Sequence, residues 1–141
     1  MEFDKEKAFR LFVEELPPPQ KSGDGSTKLA VLITFGIPVF VSPRDAAAGL
    51  SVIETSVNGN KLSLLLKNEG NQHSRLSRLV AENGDIITES IPSRYFHSGT
   101  IKELNFQLPS AMCDGNSHRL VIEAEPQQLV TEVLMPVNCK G

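Results

Sequence analysis

Five residues of this chain carry the imidazole and thiol donors that a zinc site favours: His73, His97, His118, Cys113 and Cys139. Zinc sites take their ligands in close pairs, Cys-x2-Cys or His-x3-His, so that two donors leave one turn together. None of the five is so spaced, and the sequence predicts neither a metal site nor a cofactor. A catalytic serine needs a strained elbow such as Gly-x-Ser-x-Gly between a strand and a helix, and that pattern does not occur. Glu14 and Glu15 are neighbours on what reads as a strand, so they point to opposite faces and cannot work as a carboxylate pair. The chain is therefore expected not to be an enzyme. Two readings stay open for Cys113 and Cys139: a disulfide made in an oxidising compartment, or two small unpaired hydrophobes, because the spacing alone fixes no distance between them.

Binding through apolar side chains is the chemistry that remains. Leu29, Val31, Ile33, Phe35, Ile37, Val39 and Val41 place an apolar residue at every second position, which predicts one long strand over 29–41 with all seven on one face. Ordinary strands are about 5 to 6 residues long. A longer one either crosses structural units or offers a row of side chains to a partner. The even positions Ala30, Leu32 and Phe40 are partly apolar as well, so packing into the chain's own core competes with display to a partner.

The whole chain has 141 residues, 40% hydrophobic and 22% charged, with a formal charge of −3. That balance supplies no basic field for nucleic acid or an acidic membrane surface. No apolar run approaches the ~20 residues of a membrane helix, and the first residues lack the apolar core and cleavage site of a secretory signal.

Nine prolines and ten glycines divide the chain into short apolar stretches, the punctuation of an all-β protein. A first strand at 9–16, in which Phe9, Leu11 and Val13 alternate with Arg10, Phe12 and Glu14, stops at Pro17-Pro18-Pro19. Residues 20–28 read as a flexible connection to the strand at 29–41, giving a β-hairpin over 9–41. Residues 42–49, Ser-Pro-Arg-Asp-Ala-Ala-Ala-Gly, read as a linker. Seven more strands are expected at 50–55, 61–67, 73–81, 86–91, 101–108, 118–125 and 129–135, separated by turns such as Asn58-Gly59-Asn60 and Asp114-Gly115-Asn116. This spacing predicts an immunoglobulin-like β-sandwich over 50–141.

Arg10 to Pro19, then Leu29 to Ile33 and Gly36 to Val41, resemble the last two strands of the first domain in PapD-like periplasmic pilus chaperones of the chaperone/usher pathway. Asn68-Glu69-Gly70-Asn71-Gln72-His73, with Arg75-Leu76-Ser77 after it, is similar to early strands of that family's second domain, in the branch that builds archaic or spore-coat-like fimbriae. The resemblance implies a fimbrial (pilus) assembly chaperone, or its remnant, in the periplasm, serving pilus biogenesis and cell wall organization. Its partners would be a fimbrial subunit (pilin) and the outer-membrane usher. It also implies donor-strand complementation, in which Leu29, Val31, Ile33 and Phe35 enter pockets of a subunit that lacks one strand.

Against the family pattern, residues 1–8 match nothing, and the strands that should precede Phe9 are not in the sequence, so the chain reads as one that begins late. The family's cleft lysine falls near Pro38, where no lysine stands; Arg44, Arg75 and Arg78 are the nearby candidates as carboxylate anchors, each better explained as an exposed surface arginine. An orphaned first-domain hairpin is also expected to self-associate. The rival reading is a structural or adhesive immunoglobulin-like module without chaperone activity.

Overall fold

The computed structural model describes residues 3–19, 23, 25, 29–91 and 95–139. Among the described residues ten strands and one 3₁₀ turn make up the regular structure, and the chain is all-β. It divides into two compact units, one of Met1–Glu6 with Ser42–Gly141 and one of Lys7–Val41. Among the described residues no helix is long and apolar enough to cross a membrane.

The larger unit is a sandwich of two antiparallel sheets. Strands β3 (Leu50–Asn58), β4 (Lys61–Asn68) and β8 (Ile101–Gln107) form one, in the order β3-β4-β8. The other runs β10-β9-β5-β6, from β10 (Leu129–Leu134), β9 (Ser117–Glu125), β5 (Ser74–Ala81) and β6 (Ile86–Thr88), with β7 (Tyr95–Phe96) also paired to β5. This arrangement is compatible with an immunoglobulin-like domain. Period-two leucines explain why β4 forms where it does: Leu62, Leu64 and Leu66 are fully buried and alternate with the half-buried Ser63, Leu65 and Lys67. They meet Leu76, Leu79, Leu120 and Ile122, also fully buried, from the facing sheet. Each such side chain contributes roughly 1.5–3 kcal/mol of burial.

Two β-bulges set the phase of this core. In β5 the buried residues are Ser74 and Leu76, then Leu79 and Ala81, because the register on β9 slips between Leu76 and Arg78. In β3 the register slips between Val52 and Glu54, which leaves Ile53 exposed and moves the inward positions from Leu50 and Val52 to Thr55 and Val57. An extra residue in one strand reverses the side-chain parity beyond it, so strict alternation across either strand would have put half of it inside out. At the β3–β4 hairpin, Gly59 takes φ +60°, the conformation a two-residue turn needs.

The seven expected strands of this unit all form with shifted ends; β7 and the 3₁₀ turn at Ser110–Met112, which buries Met112, were not expected. The boundaries also differ. Residues 42–49 are not a free linker but are bonded into the sandwich. Asn71 N donates to Ala47 O (3.0 Å), Ala47 N to Asn71 Oδ1 (2.8 Å) and Glu69 N to Gly49 O (3.0 Å). Gly49 and Gly70 sit so close that a Cβ on Gly49 would lie 2.5 Å from Gly70 N, and one on Gly70 would strike Ala47 O. Residues 6–8 are also part of the fold. Lys7 and Ala8 begin β1, while Glu6 belongs to the sandwich unit. Glu6 N donates to Asn71 O (2.8 Å), and its almost fully buried carboxylate accepts from Ser42 Oγ (2.9 Å) and His73 N (3.2 Å), with His73 Nδ1 at 2.7 Å.

Cys113 and Cys139 are joined in a disulfide with their Cα atoms 5.6 Å apart, tying the 3₁₀ turn to the segment after β10. Beside it, hydrogen bonds from His118 Nε2 (2.9 Å) and Asn116 N (2.9 Å) hold the Asp114 carboxyl down to about 2, below its ordinary 3.8. A carboxyl with a depressed folded-state pKa stabilises fully above its ordinary value and loses that contribution as pH falls through the depressed one. We therefore expect His118→Ala to narrow the fall in melting temperature between pH 5 and pH 2 relative to the unmodified chain, as measured by thermal melts at both values.

Candidate functional site

The smaller unit is one two-stranded antiparallel hairpin, β1 (Lys7–Glu14) against β2 (Thr34–Val41). Their register pairs Phe9 with Val39, Leu11 with Ile37 and Val13 with Phe35 on one face. Ala8 pairs with Phe40, Arg10 with Pro38, Phe12 with Gly36 and Glu14 with Thr34 on the other. The first face is almost wholly apolar, and its large side chains from Phe9 to Val41 are between 39% and 58% exposed. Soluble proteins rarely leave so continuous an apolar surface without a use for it. The expected connection at 20–28 lies mostly outside the described residues.

The single strand expected over 29–41 is corrected to Thr34–Val41. Of the four residues assigned to the donor strand, Phe35 lies in β2 and is 58% exposed, whereas Leu29 (92%), Val31 (75%) and Ile33 (48%) precede it. The reason is at Glu15. Its backbone N–H donates to Ile33 O (3.1 Å), but Ile33 N donates to the Glu15 carboxylate (3.2 Å) instead of the Glu15 carbonyl, so the ladder ends there. The three prolines after Leu16 then deprive residues 29–31 of donors to pair with.

That same contact fixes which backbone groups of β2 are open. With Glu15 and Ile33 a bonded pair, antiparallel alternation makes Val13–Phe35, Leu11–Ile37 and Phe9–Val39 bonded pairs too. The N–H and C=O groups of Thr34 and Gly36 consequently point away from β1. Pro38 falls on this outward set, the one place where a strand tolerates a missing N–H. On the second face, Phe12 and the stem of Arg10 lie over Gly36, 3.5 and 3.6 Å from where a Cβ would stand.

Sequence reasoning missed that β1 doubles the apolar face with Phe9, Leu11 and Val13, and that Arg10 faces Pro38, the position where the resemblance looks for a cation. The register carries both facts, and register was not legible. The other candidate cations are spread out. Arg78 Nε is bonded to the Glu123 carboxylate at 2.6 Å, which raises the Arg78 pKa and lowers that of Glu123. Arg75 is exposed on β5. Arg44 lines a polar cleft with Phe3, Asp4, Ser42, Pro43, Asp45 and Asn71. Of the residues weighed for metal binding, the cysteines bond each other, His73 contacts Glu6 and the edge of Tyr95, and His118 contacts Asp114. Compared with known proteins, the chain matches no family model, no curated protein and no solved structure.

Proposed function

We propose that this chain is a fimbrial assembly chaperone, or a remnant of one, that binds a pilin subunit by lending it a strand from the hairpin. One observation supports the reading: β2 combines an outward backbone edge at Thr34 and Gly36 with an alternating row of exposed apolar side chains that Leu29, Val31 and Ile33 continue in sequence. Strand addition takes affinity from the edge and specificity from alternate side chains in pockets. Pro38 offers no N–H, so the added ladder runs over residues 29–37, and Arg10 beside Pro38 supplies the cation for a subunit's terminal carboxylate. On this reading the outer-membrane usher is a second partner in the periplasm, and binding requires no cofactor.

The test is co-purification with a pilin subunit lacking its last strand. Phe35→Asp places a charge where a subunit pocket must be dry, whereas Thr34→Asp alters the opposite face of the same strand. Phe35→Asp is expected to lower recovery of the subunit about 100-fold and Thr34→Asp only a few-fold. Equal loss in both variants would defeat donor-strand binding.

A further inference from the structure

We propose that Asn58 is a self-modification site of the sandwich, where the backbone nitrogen of Gly59 displaces ammonia from the Asn58 side chain and leaves an isoaspartyl or aspartyl residue at the β3–β4 turn. The chemistry goes beyond strand lending and does not depend on it.

The chain has two Asn-Gly steps, Asn58-Gly59 and Asn83-Gly84. Glycine has no Cβ to crowd the approach of its own nitrogen, so the two steps share one intrinsic chemistry. What separates them is how each turn is bonded. At the β5–β6 turn Gly84 N donates to Ala81 O (2.9 Å), Asn83 Oδ1 accepts from Asp85 N (3.0 Å) and Asn83 Nδ2 donates to the Asp85 carboxylate (2.8 Å). The proton that Gly84 would have to lose is held by Ala81, and the amide is fixed at both ends by Asp85. Turning that side chain onto Gly84 N means opening bonds first.

The β3–β4 turn carries no such restraint. Asn58 pairs with Lys61 at the end of the ladder, and Gly59 with Asn60 makes the loop between them. Asn58 is exposed, and among the described residues its side-chain amide has no hydrogen-bond partner and Gly59 N donates to no backbone carbonyl. Both reacting groups are therefore open to water and to each other.

In the reaction Gly59 N gives its proton to a base and attacks Asn58 Cγ. The N–Cγ bond forms, the Cγ–Nδ2 bond breaks, and Nδ2 takes up a proton and leaves as ammonia, which closes a succinimide ring. Water then opens the ring at Cγ to give aspartate, or at the backbone carbonyl carbon to give isoaspartate. No oxidant, metal or second protein enters. Isoaspartate runs the chain through Cβ and Cγ, lengthening by one atom a turn whose closing pair is fitted to two residues. The next pair in the register is Val57 with the fully buried Leu62, so the change loosens the hairpin beside the core and adds a negative charge at its tip.

The test holds the full chain in mildly alkaline buffer and follows both steps by peptide mass mapping, with an isoaspartyl methyltransferase as the label for isoaspartate. In the folded chain Asn58 is expected to convert about ten-fold or more faster than Asn83, because the bonds at Asn83 have to open first. Unfolded in urea, the two are expected to convert within about two-fold of each other, since both precede glycine. Asp85→Ala releases Asn83 Nδ2 and is expected to raise conversion at Asn83 a few-fold without changing Asn58. The converted chain, separated by its extra charge, melts below the unconverted one, and Asn58→Gln gives no labelled product at that turn. Equal rates at the two steps in the folded chain would overturn the proposal. So would a difference that persists in urea, or a folded chain in which Asn58 stays intact over the time that the unfolded chain converts.

Discussion

Replacing Asn68 by alanine is expected to destabilise the sandwich by about 3–5 kcal/mol. The Asn68 side chain has no exposed surface, yet every one of its hydrogen-bonding positions is used. Oδ1 accepts from Gly49 N (3.2 Å) and Gly70 N (3.0 Å), and Nδ2 donates to Gln72 O (2.9 Å) and Phe96 O (2.9 Å). One amide thus joins the chain entering β3, the turn after β4, the approach to β5 and the end of β7. Alanine would leave two backbone donors and two acceptors without it, at roughly 1–3 kcal/mol for each that stays unsatisfied. Aspartate separates geometry from chemistry, since it keeps Oδ1 but turns a second acceptor toward the carbonyls of Gln72 and Phe96. Asn68→Asp should therefore cost at least as much as Asn68→Ala. Urea unfolding with an unchanged m-value measures both, and a loss below about 1 kcal/mol in Asn68→Ala would mean that the four groups find other partners.

Removing the disulfide by Cys113→Ala with Cys139→Ala is expected to cost about 2–4 kcal/mol, from the unfolded-state freedom that a cross-link over 26 residues takes away. The local consequence is as specific as the global one. Met135 N donates to Asn116 O (3.0 Å), Gly115 N donates to Pro136 O (3.2 Å), and Val137 packs against Gly115, whose φ of +76° a glycine adopts without strain. The cross-link is expected to steady these contacts, with Met135 also held by its burial in the core. Hydrogen exchange in the double variant should accelerate at Gly115 and Met135 far more than at Leu64 or Ile122 in the core. The oxidised chain, unfolded without reductant, should show no titratable thiol. Two reactive thiols in that assay would rule the bridge out.

The fold class and most strands were legible because their cause is local. Leu62, Leu64 and Leu66 announce a half-buried strand wherever they occur, and Asn58-Gly59-Asn60 announces a reversal, since the left-handed turn conformation is one that few residues accept. The alternation in β3 and β5 was only half legible. A bulge inverts parity after Val52 and after Leu76, and nothing in either residue signals it. The two-residue β7 is too short to carry a period at all.

The candidate site divides in the same way. Alternation at Phe35, Ile37, Val39 and Val41 is a property of the sequence, and so is the parity that puts them on one face. What covers that face is not, and neither is the strand opposite it. Periodicity records that apolar side chains share a side without recording which other side chains meet them. Register determined that Phe9, Leu11 and Val13 complete the face, and the Glu15–Ile33 contact ended the ladder two positions before Phe35, leaving Leu29 and Val31 outside it. The sequence by itself determined an all-β chain with an apolar stripe, because backbone sterics and side-chain period act within a few residues. Only the tertiary structure decided that residues 42–49 are bonded into the sandwich, that Cys113 reaches Cys139 and that Asn68 serves four backbone groups at once. Those are meetings between residues tens of positions apart, and hydrogen bonds, disulfides and buried contacts are settled by distance in space.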